Sequence, residues 1–161
     1  GLMPPRTGIR RLVEEALDAG WLVASASTSA VPSVEAVLQM VVGPENRARM
    51  AGVFAGDMVE KKKPEPDVYL LALKELGVSD DDAVVIEDSV AGATAAARAN
   101  LSHLVTLSSY TVNDEFPDAT TVVTRLGDPG KPAELVAGKD VRGGDLITVA
   151  SLEEILALRK Q

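Results

Sequence analysis

The chain has 161 residues, of which 46% are hydrophobic and 25% charged, and this length is sufficient for one domain with its own core. Its formal net charge of −8 argues against nucleic acid or an anionic membrane as the main partner. The absence of cysteine excludes disulfides and thiolate chemistry, and the single histidine excludes a multi-histidine metal site. No apolar run approaches the length that spans a membrane.

Strands alternate with helices in the hydrophobic pattern of the first two thirds of the chain. Apolar side chains recur at helical spacing in residues 9–17, 34–41, 66–76 and 89–99. Short apolar runs typical of buried strands occupy residues 21–24, 53–55, 84–86 and 104–107. This alternation predicts an α/β fold with a Rossmann-like, doubly wound parallel sheet.

The pattern weakens after Ser108. Residues 122–123 are expected to form a short edge strand, residues 127–144 a loop, and residues 146–149 a segment that pairs elsewhere. Ser151 is expected to cap a closing helix. We therefore expect residues 1–126 to form the core domain, with the loop and helix of residues 127–161 packed on the same domain.

Polar residues follow three of the predicted strands. Ser25 comes after the first strand, a lysine from residues 61–63 after the second, and the acid pair Glu87 and Asp88 after the third. The carboxyl ends of parallel strands meet at one edge of a sheet, where ligands bind. Hydroxyl and ammonium groups hold phosphate oxygens, and carboxylates suit Mg²⁺, so together they indicate a phosphoryl-transfer site.

Each of these features has a simpler explanation on its own. A serine after a strand is commonly a turn residue, and at least two of the three lysines are expected to be solvated surface charge. Asp88 or Ser89 could only cap the helix that follows. The combination of all three, in this order, favours the phosphoryl-transfer interpretation.

Three short motifs make the chain resemble the haloacid dehalogenase (HAD) superfamily of phosphohydrolases. They are VASAS at residues 23–27, KKKPEPD at residues 61–67 and VIEDSVAG at residues 85–92. The wording of the second motif, with FAGD at residues 54–57 before it, is closest to the CbbY-type branch. That branch is similar to β-phosphoglucomutase and includes xylulose-1,5-bisphosphate phosphatases. The likeness extends from about Pro5 to about residue 107.

The resemblance assigns a role to five residues. Ser25 and Ala26 look like the motif that binds the transferring phosphoryl group. Lys63 looks like the lysine that neutralises the phosphoryl group and the nucleophile. Glu87 and Asp88 look like the acid pair that holds Mg²⁺. Ser25 and Lys63 are accordingly the expected catalytic residues, and Mg²⁺ is the expected cofactor.

In the superfamily the aspartate nucleophile lies on the first strand, in an Asp-x-Asp signature followed by Gly or Thr and small residues, and this signature is absent from the chain. The only dense acid cluster, residues 80–82, precedes a strand and is interpreted as a solvated turn and helix cap. We expect a partial HAD core without the first strand, which lies between the strands ending at Ser25 and Glu87, and without the cap domain. Three candidates could fill the position of the missing strand: an upstream segment, a strand from a partner polypeptide, or residues 146–149. We favour the upstream segment.

The resemblance implies a Mg²⁺-dependent phosphatase that acts on a small sugar phosphate through an aspartyl-phosphate. Xylulose-1,5-bisphosphate is a candidate substrate, and the cytoplasm or plastid stroma is the expected compartment. A non-catalytic HAD-like binding or assembly module is one alternative. A phosphomutase, dehalogenase or phosphonatase is another. The lysine-rich motif favours phosphate over halide, but the cap that largely decides between mutase and phosphatase is missing.

Overall fold

The computed structural model of the protein describes residues 7–108 and 114–161. The start of the family likeness near Pro5 lies outside these residues. The helices are α1 (Ile9–Asp18), α2 (Val31–Val42), α3 (Pro44–Arg49), α4 (Asp67–Leu76), α5 (Val90–Arg98) and α6 (Val149–Arg159). The strands are β1 (Ala24–Ala26), β2 (Gly52–Phe54), β3 (Val84–Glu87), β4 (Ser102–Thr106), β5 (Thr121–Val123) and β6 (Leu135–Gly138). No helix in this part of the chain is long and apolar enough to cross a membrane.

The strands form two separate sheets in the described residues. β1 pairs with β2 in parallel, and β3, β4 and β5 pair in parallel in that order, with β6 added antiparallel at the edge. Val84 and Ile86 pack into a core cluster with α1 and α6, whereas Val85 packs into a cluster with α4 and α5. Helices therefore cover both faces of β3, and the predicted α/β doubly wound architecture is confirmed.

The C-terminal third departs from the sequence prediction. β6 lies inside the segment predicted to be a loop, and β5 is fully buried because β6 takes its place at the sheet edge. All four residues of β6 are exposed, so no alternation of apolar and polar residues marked it as a strand. This segment still packs on the core, because Leu126, Ala133 and Val141 share a cluster with α1 and α6.

The predicted pairing of residues 146–149 is limited to the first two of them, and Leu146 forms an antiparallel bridge with Gly143. Ile147 is fully buried and its N–H donates to Leu126 O over 2.9 Å, but Thr148 already caps α6. Ser151 is therefore the third residue of a reciprocal capping box rather than the cap itself. A segment used in this way cannot fill a slot elsewhere in the sheet.

Other boundaries shift by a few residues. The first strand was expected at residues 21–24, but it pairs with β2 only at Ala24–Ala26, so Ser25 lies inside the strand. α3 was missed, although Pro44 at its first position is a typical helix start. The acid cluster Asp80–Asp82 forms a 3-10 turn capped by Ser79 and makes ion pairs with the end of α6, in agreement with its interpretation as a turn.

A cavity of about 830 Å³, which we call the strand gap, separates the two sheets. Its lining includes all three residues of β1 on one side and Val84, Val85 and Ile86 of β3 on the other. The sequence pattern predicted that these three β3 residues are buried on both faces, yet they are only partly buried. Their exposure follows from the gap, because β3 is the edge strand of its sheet there.

Gly8 fits where no other residue does, at the point where α1 meets the C-terminal segment. Its φ is +92°, and a Cβ would lie 2.5 Å from Gly127 O. Gly20 has a similar φ of +86° but open space around it.

We expect Gly20→Ala to lower the free energy of unfolding by about 1–2 kcal/mol from backbone strain alone. Gly8→Ala should lower the free energy of unfolding by about 1–3 kcal/mol more than Gly20→Ala does, because the added methyl group overpacks the site. Denaturant unfolding measures both; equal losses would contradict this packing.

Candidate active site

The side chain of Lys63 connects the carboxyl ends of β1 and β3. Its Nζ donates to the carbonyl oxygen of Ala26 over 3.0 Å and forms an ion pair with Glu87 Oε2. Ala26 is the last residue of β1 and Glu87 is the last residue of β3. The two unpaired sheets therefore present their carboxyl ends at the same edge, as the sequence pattern predicted.

This ion pair is buried on both sides. The side chains of Lys63 and Glu87 are 8% and 7% exposed. Removing two charges from water is costly, so a buried pair requires good geometry and additional hydrogen bonds. Ala26 supplies one of these on the lysine side, and two further donors serve Glu87.

Glu87 accepts hydrogen bonds at both carboxylate oxygens. The hydroxyl of Tyr69 donates to Oε2, the same oxygen that binds Lys63, and the N–H of Asp88 donates to Oε1 over 3.4 Å. Gly92, in the first turn of α5, passes so close that a Cβ there would overlap this carboxylate. The carboxylate is therefore held in one position by the donors on one side and by a helix backbone on the other.

The remaining predicted residues adjoin this contact. Ser25 precedes Ala26 in β1, is partly buried and lines the strand gap. Asp88 follows Glu87 and is also partly buried. Lys61 and Lys62 are exposed, as expected for two lysines of a solvated loop. The structure thus brings Ala26 and Glu87 into contact with Lys63 and places Ser25 and Asp88 next to them along the chain.

Tyr69 is the site residue that sequence reasoning missed, because it also fits the apolar stripe of α4. Its ring centroid lies 5.0 Å from Lys63 Nζ, within the range of a cation–π interaction. Burial, followed by the negative charge of Glu87, raises the pKa of its hydroxyl above the ordinary value of tyrosine. One signal could have identified it: a buried tyrosine, unlike a phenylalanine, needs a hydrogen-bond partner for its hydroxyl.

The donor set at this edge suits a hard divalent cation only in part. In the described portion of the chain, no group of three or more acidic, histidine or cysteine residues could hold a metal. Mg²⁺ usually keeps several waters and binds through one or two carboxylates together with substrate phosphate. Asp88 and Glu87 supply two carboxylates, although Oε2 of Glu87 already accepts from Lys63 and Tyr69, and Oε1 accepts from the N–H of Asp88.

Comparison with known proteins gives relatives along most of the chain. The sequence profile described as haloacid dehalogenase-like hydrolase matches residues 2–100. The chain is 44% identical over 128 residues to a CBBY-like protein of Arabidopsis thaliana, covering 80% of this chain and 40% of that protein. It is 39% identical over 147 residues to the CbbY protein of Cupriavidus necator, covering 91% of this chain and 58% of that protein. The chain thus spans about half the length of the curated relatives it matches.

Crystal structures of CbbY proteins have a fold similar to that of this chain. The crystal structure of CbbY from Rhodobacter sphaeroides in complex with phosphate superposes with a TM-score of 0.72 at 41% identity, covering 78% of this chain and 56% of that one. A mutant of that protein in complex with xylulose-(1,5)bisphosphate gives a TM-score of 0.71 at 42% identity, covering 74% and 53%.

Because Gly92 lies so close to Glu87, we expect a glycine-to-alanine substitution there to destabilise the protein, which is the reverse of its usual effect in a helix. In an ordinary helix position, alanine is more stable than glycine by about 1 kcal/mol. Gly92→Ala should instead lower the free energy of unfolding by about 1–3 kcal/mol, because the new methyl group displaces the Glu87 carboxylate. Ala91→Gly, at an exposed position of the same helix, is the control and should show the ordinary propensity loss. Stabilisation by Gly92→Ala in chemical denaturation would refute the tight contact.

The raised pKa of Tyr69 predicts a loss of stability in alkali. Because folding favours the protonated hydroxyl, its contribution is complete below the ordinary pKa of 10.0 and is lost as the pH rises above it. In a Tyr110→Phe variant, Tyr69 is the only tyrosine. Ultraviolet absorbance should then show tyrosinate appearing only together with unfolding. Ionisation near pH 10 in the folded protein would exclude the buried hydrogen bond.

Proposed function

Because the chain belongs to the haloacid dehalogenase-like hydrolases, in their CbbY-like branch, we propose that it supplies the phosphate-binding and metal-binding part of a Mg²⁺-dependent sugar-phosphate phosphatase. The contact of Lys63 with Ala26 and Glu87 is the observation that carries this proposal. The contact supports the proposal because it brings the ends of β1 and β3 to one lysine at one sheet edge, and phosphoryl transfer depends on such positioning of charged groups.

The nucleophile in this proposal is an aspartate on a strand that is not among these 161 residues. The strand gap supports this part of the proposal, since it lies between β1 and β3 and opens beside the residues of the site. Along a β-strand, the N–H and C=O groups of successive residues point alternately to one side of the strand and to the other. Since the carbonyl of Ala26 turns to Lys63 rather than to β2, that of Ala24 also faces away from β2. An inserted strand would hydrogen-bond these groups.

Each site residue has a defined role in this mechanism. The aspartate carboxylate attacks phosphorus, and the sugar oxygen leaves with a proton from the second aspartate of the same signature. Water then hydrolyses the aspartyl-phosphate and restores the carboxylate. Ser25 and Ala26 bind the phosphoryl oxygens. Two of the three N–H donors of Lys63 are used by Ala26 and Glu87, so the third can donate to a phosphoryl oxygen and neutralise its charge. Asp88 and Glu87 would hold Mg²⁺, which neutralises phosphate charge when bound.

Xylulose-1,5-bisphosphate is the proposed substrate, because a relative of 42% identity is described in complex with that compound. The proposed compartment is the cytoplasm or the plastid stroma, since similar proteins occur in bacteria and in a plant. The open strand gap also favours a second candidate: a module that takes up a strand of another polypeptide without turnover. A phosphomutase remains the alternative within the enzymes.

The test measures the full product of the gene that encodes this chain, including any residues before Gly1. Xylulose-1,5-bisphosphate with Mg²⁺ should release inorganic phosphate, and Lys63→Ala and Asp88→Ala should each abolish turnover. Lys62→Ala is the matched control, because that lysine is exposed and should leave the rate unchanged. Near-normal activity of Lys63→Ala would contradict the assignment. An isomerised sugar phosphate without phosphate release would indicate a mutase, and no turnover with a bound polypeptide would favour the module.

A further inference from the structure

Tyr69 contacts both members of the buried ion pair. Its hydroxyl donates to Glu87 Oε2, and its ring lies beneath the ammonium group of Lys63, 5.0 Å from the centroid to Nζ. The residue is only 6% exposed. It belongs to the first turn of α4, where its own N–H donates to Pro66 O over 3.0 Å. A side chain fixed in this way on a helix offers a rigid support to the flexible side chain of Lys63.

The hydroxyl also moderates the pull of Glu87 on the lysine. Oε2 accepts from two donors, so part of its negative charge is compensated by the neutral Tyr69 hydroxyl. Without that hydroxyl, Lys63 would be the only side-chain donor at this oxygen among the residues that the structure describes. The ammonium would then be held closer to Glu87 and would be less available to an anion at the sheet edge.

We propose that Tyr69 is a positioning residue for phosphate, which sets the orientation of the Lys63 ammonium through Glu87 and through its own ring. This inference rests on the proposed function, because it assumes that Lys63 binds a phosphoryl oxygen. It assigns two separable contributions to one side chain: the hydroxyl acts on Glu87, and the ring acts directly on Lys63.

The separation suggests two substitutions. Tyr69→Phe removes the hydroxyl and keeps the ring, whereas Tyr69→Leu removes both. In the full gene product, calorimetric titration with inorganic phosphate should show affinity reduced about tenfold by Tyr69→Phe and further by Tyr69→Leu. The nuclear magnetic resonance signals of the Lys63 ε-methylene should lose their aromatic ring-current shift in Tyr69→Leu but retain most of it in Tyr69→Phe.

The effect of Tyr69→Phe in a Lys63→Met variant distinguishes a positioning role from a purely structural one. There, Tyr69→Phe should have no further effect on phosphate affinity, because the ammonium that it orients is gone. If Lys63→Met itself leaves phosphate affinity unchanged, the proposed function fails. If Lys63→Met weakens binding but Tyr69→Phe does not, only the positioning role is overturned. An equal loss from Tyr69→Phe in both backgrounds would likewise overturn it, since the effect would then not act through Lys63.

Discussion

The buried ion pair between Lys63 and Glu87 is the interaction on which the arrangement of the site depends. β1 and β3 do not pair with each other in the described residues, yet both end at this lysine. Removing one partner of such a pair typically costs about 3–5 kcal/mol, because the other charge is left buried alone. Ala26 and Tyr69 supply the hydrogen bonds that make the burial tolerable. The residues that we propose for a phosphoryl-transfer site therefore also join the two sheets.

Most of the fold was predictable because its signals are local. Apolar periodicity located the helices other than α3 and the parallel strands, and Asn100 follows α5 in the left-handed conformation typical of a helix end, with a φ of 63°. The errors fall where the structure depends on distant contacts. β6 is exposed at all four positions and exists only because it pairs with β5. Residues 146–149 resemble a strand, but the capping box of Thr148 commits them to the start of α6.

The residues of the candidate site, except Tyr69, were named from the sequence, but their contacts were not predictable. The order of motifs identified Ser25, Lys63 and the acid pair, and the convergence of strand ends implied that they lie close together. The sequence could not show that Glu87 faces Lys63 and Tyr69, because that contact joins residues 18 and 24 positions apart. Nor could it show that Gly92 is required by the Glu87 carboxylate, since a glycine in a helix has no pattern of its own.

A crystal structure of the full gene product would show whether the strand gap receives a strand that carries the nucleophile. We expect a parallel strand hydrogen-bonded to β1 on one side and to β3 on the other. We also expect an aspartate at the carboxyl end of that strand, close to Lys63. Direct pairing of β1 with β3, or a gap filled by side chains without a strand, would rule out this role of the gap.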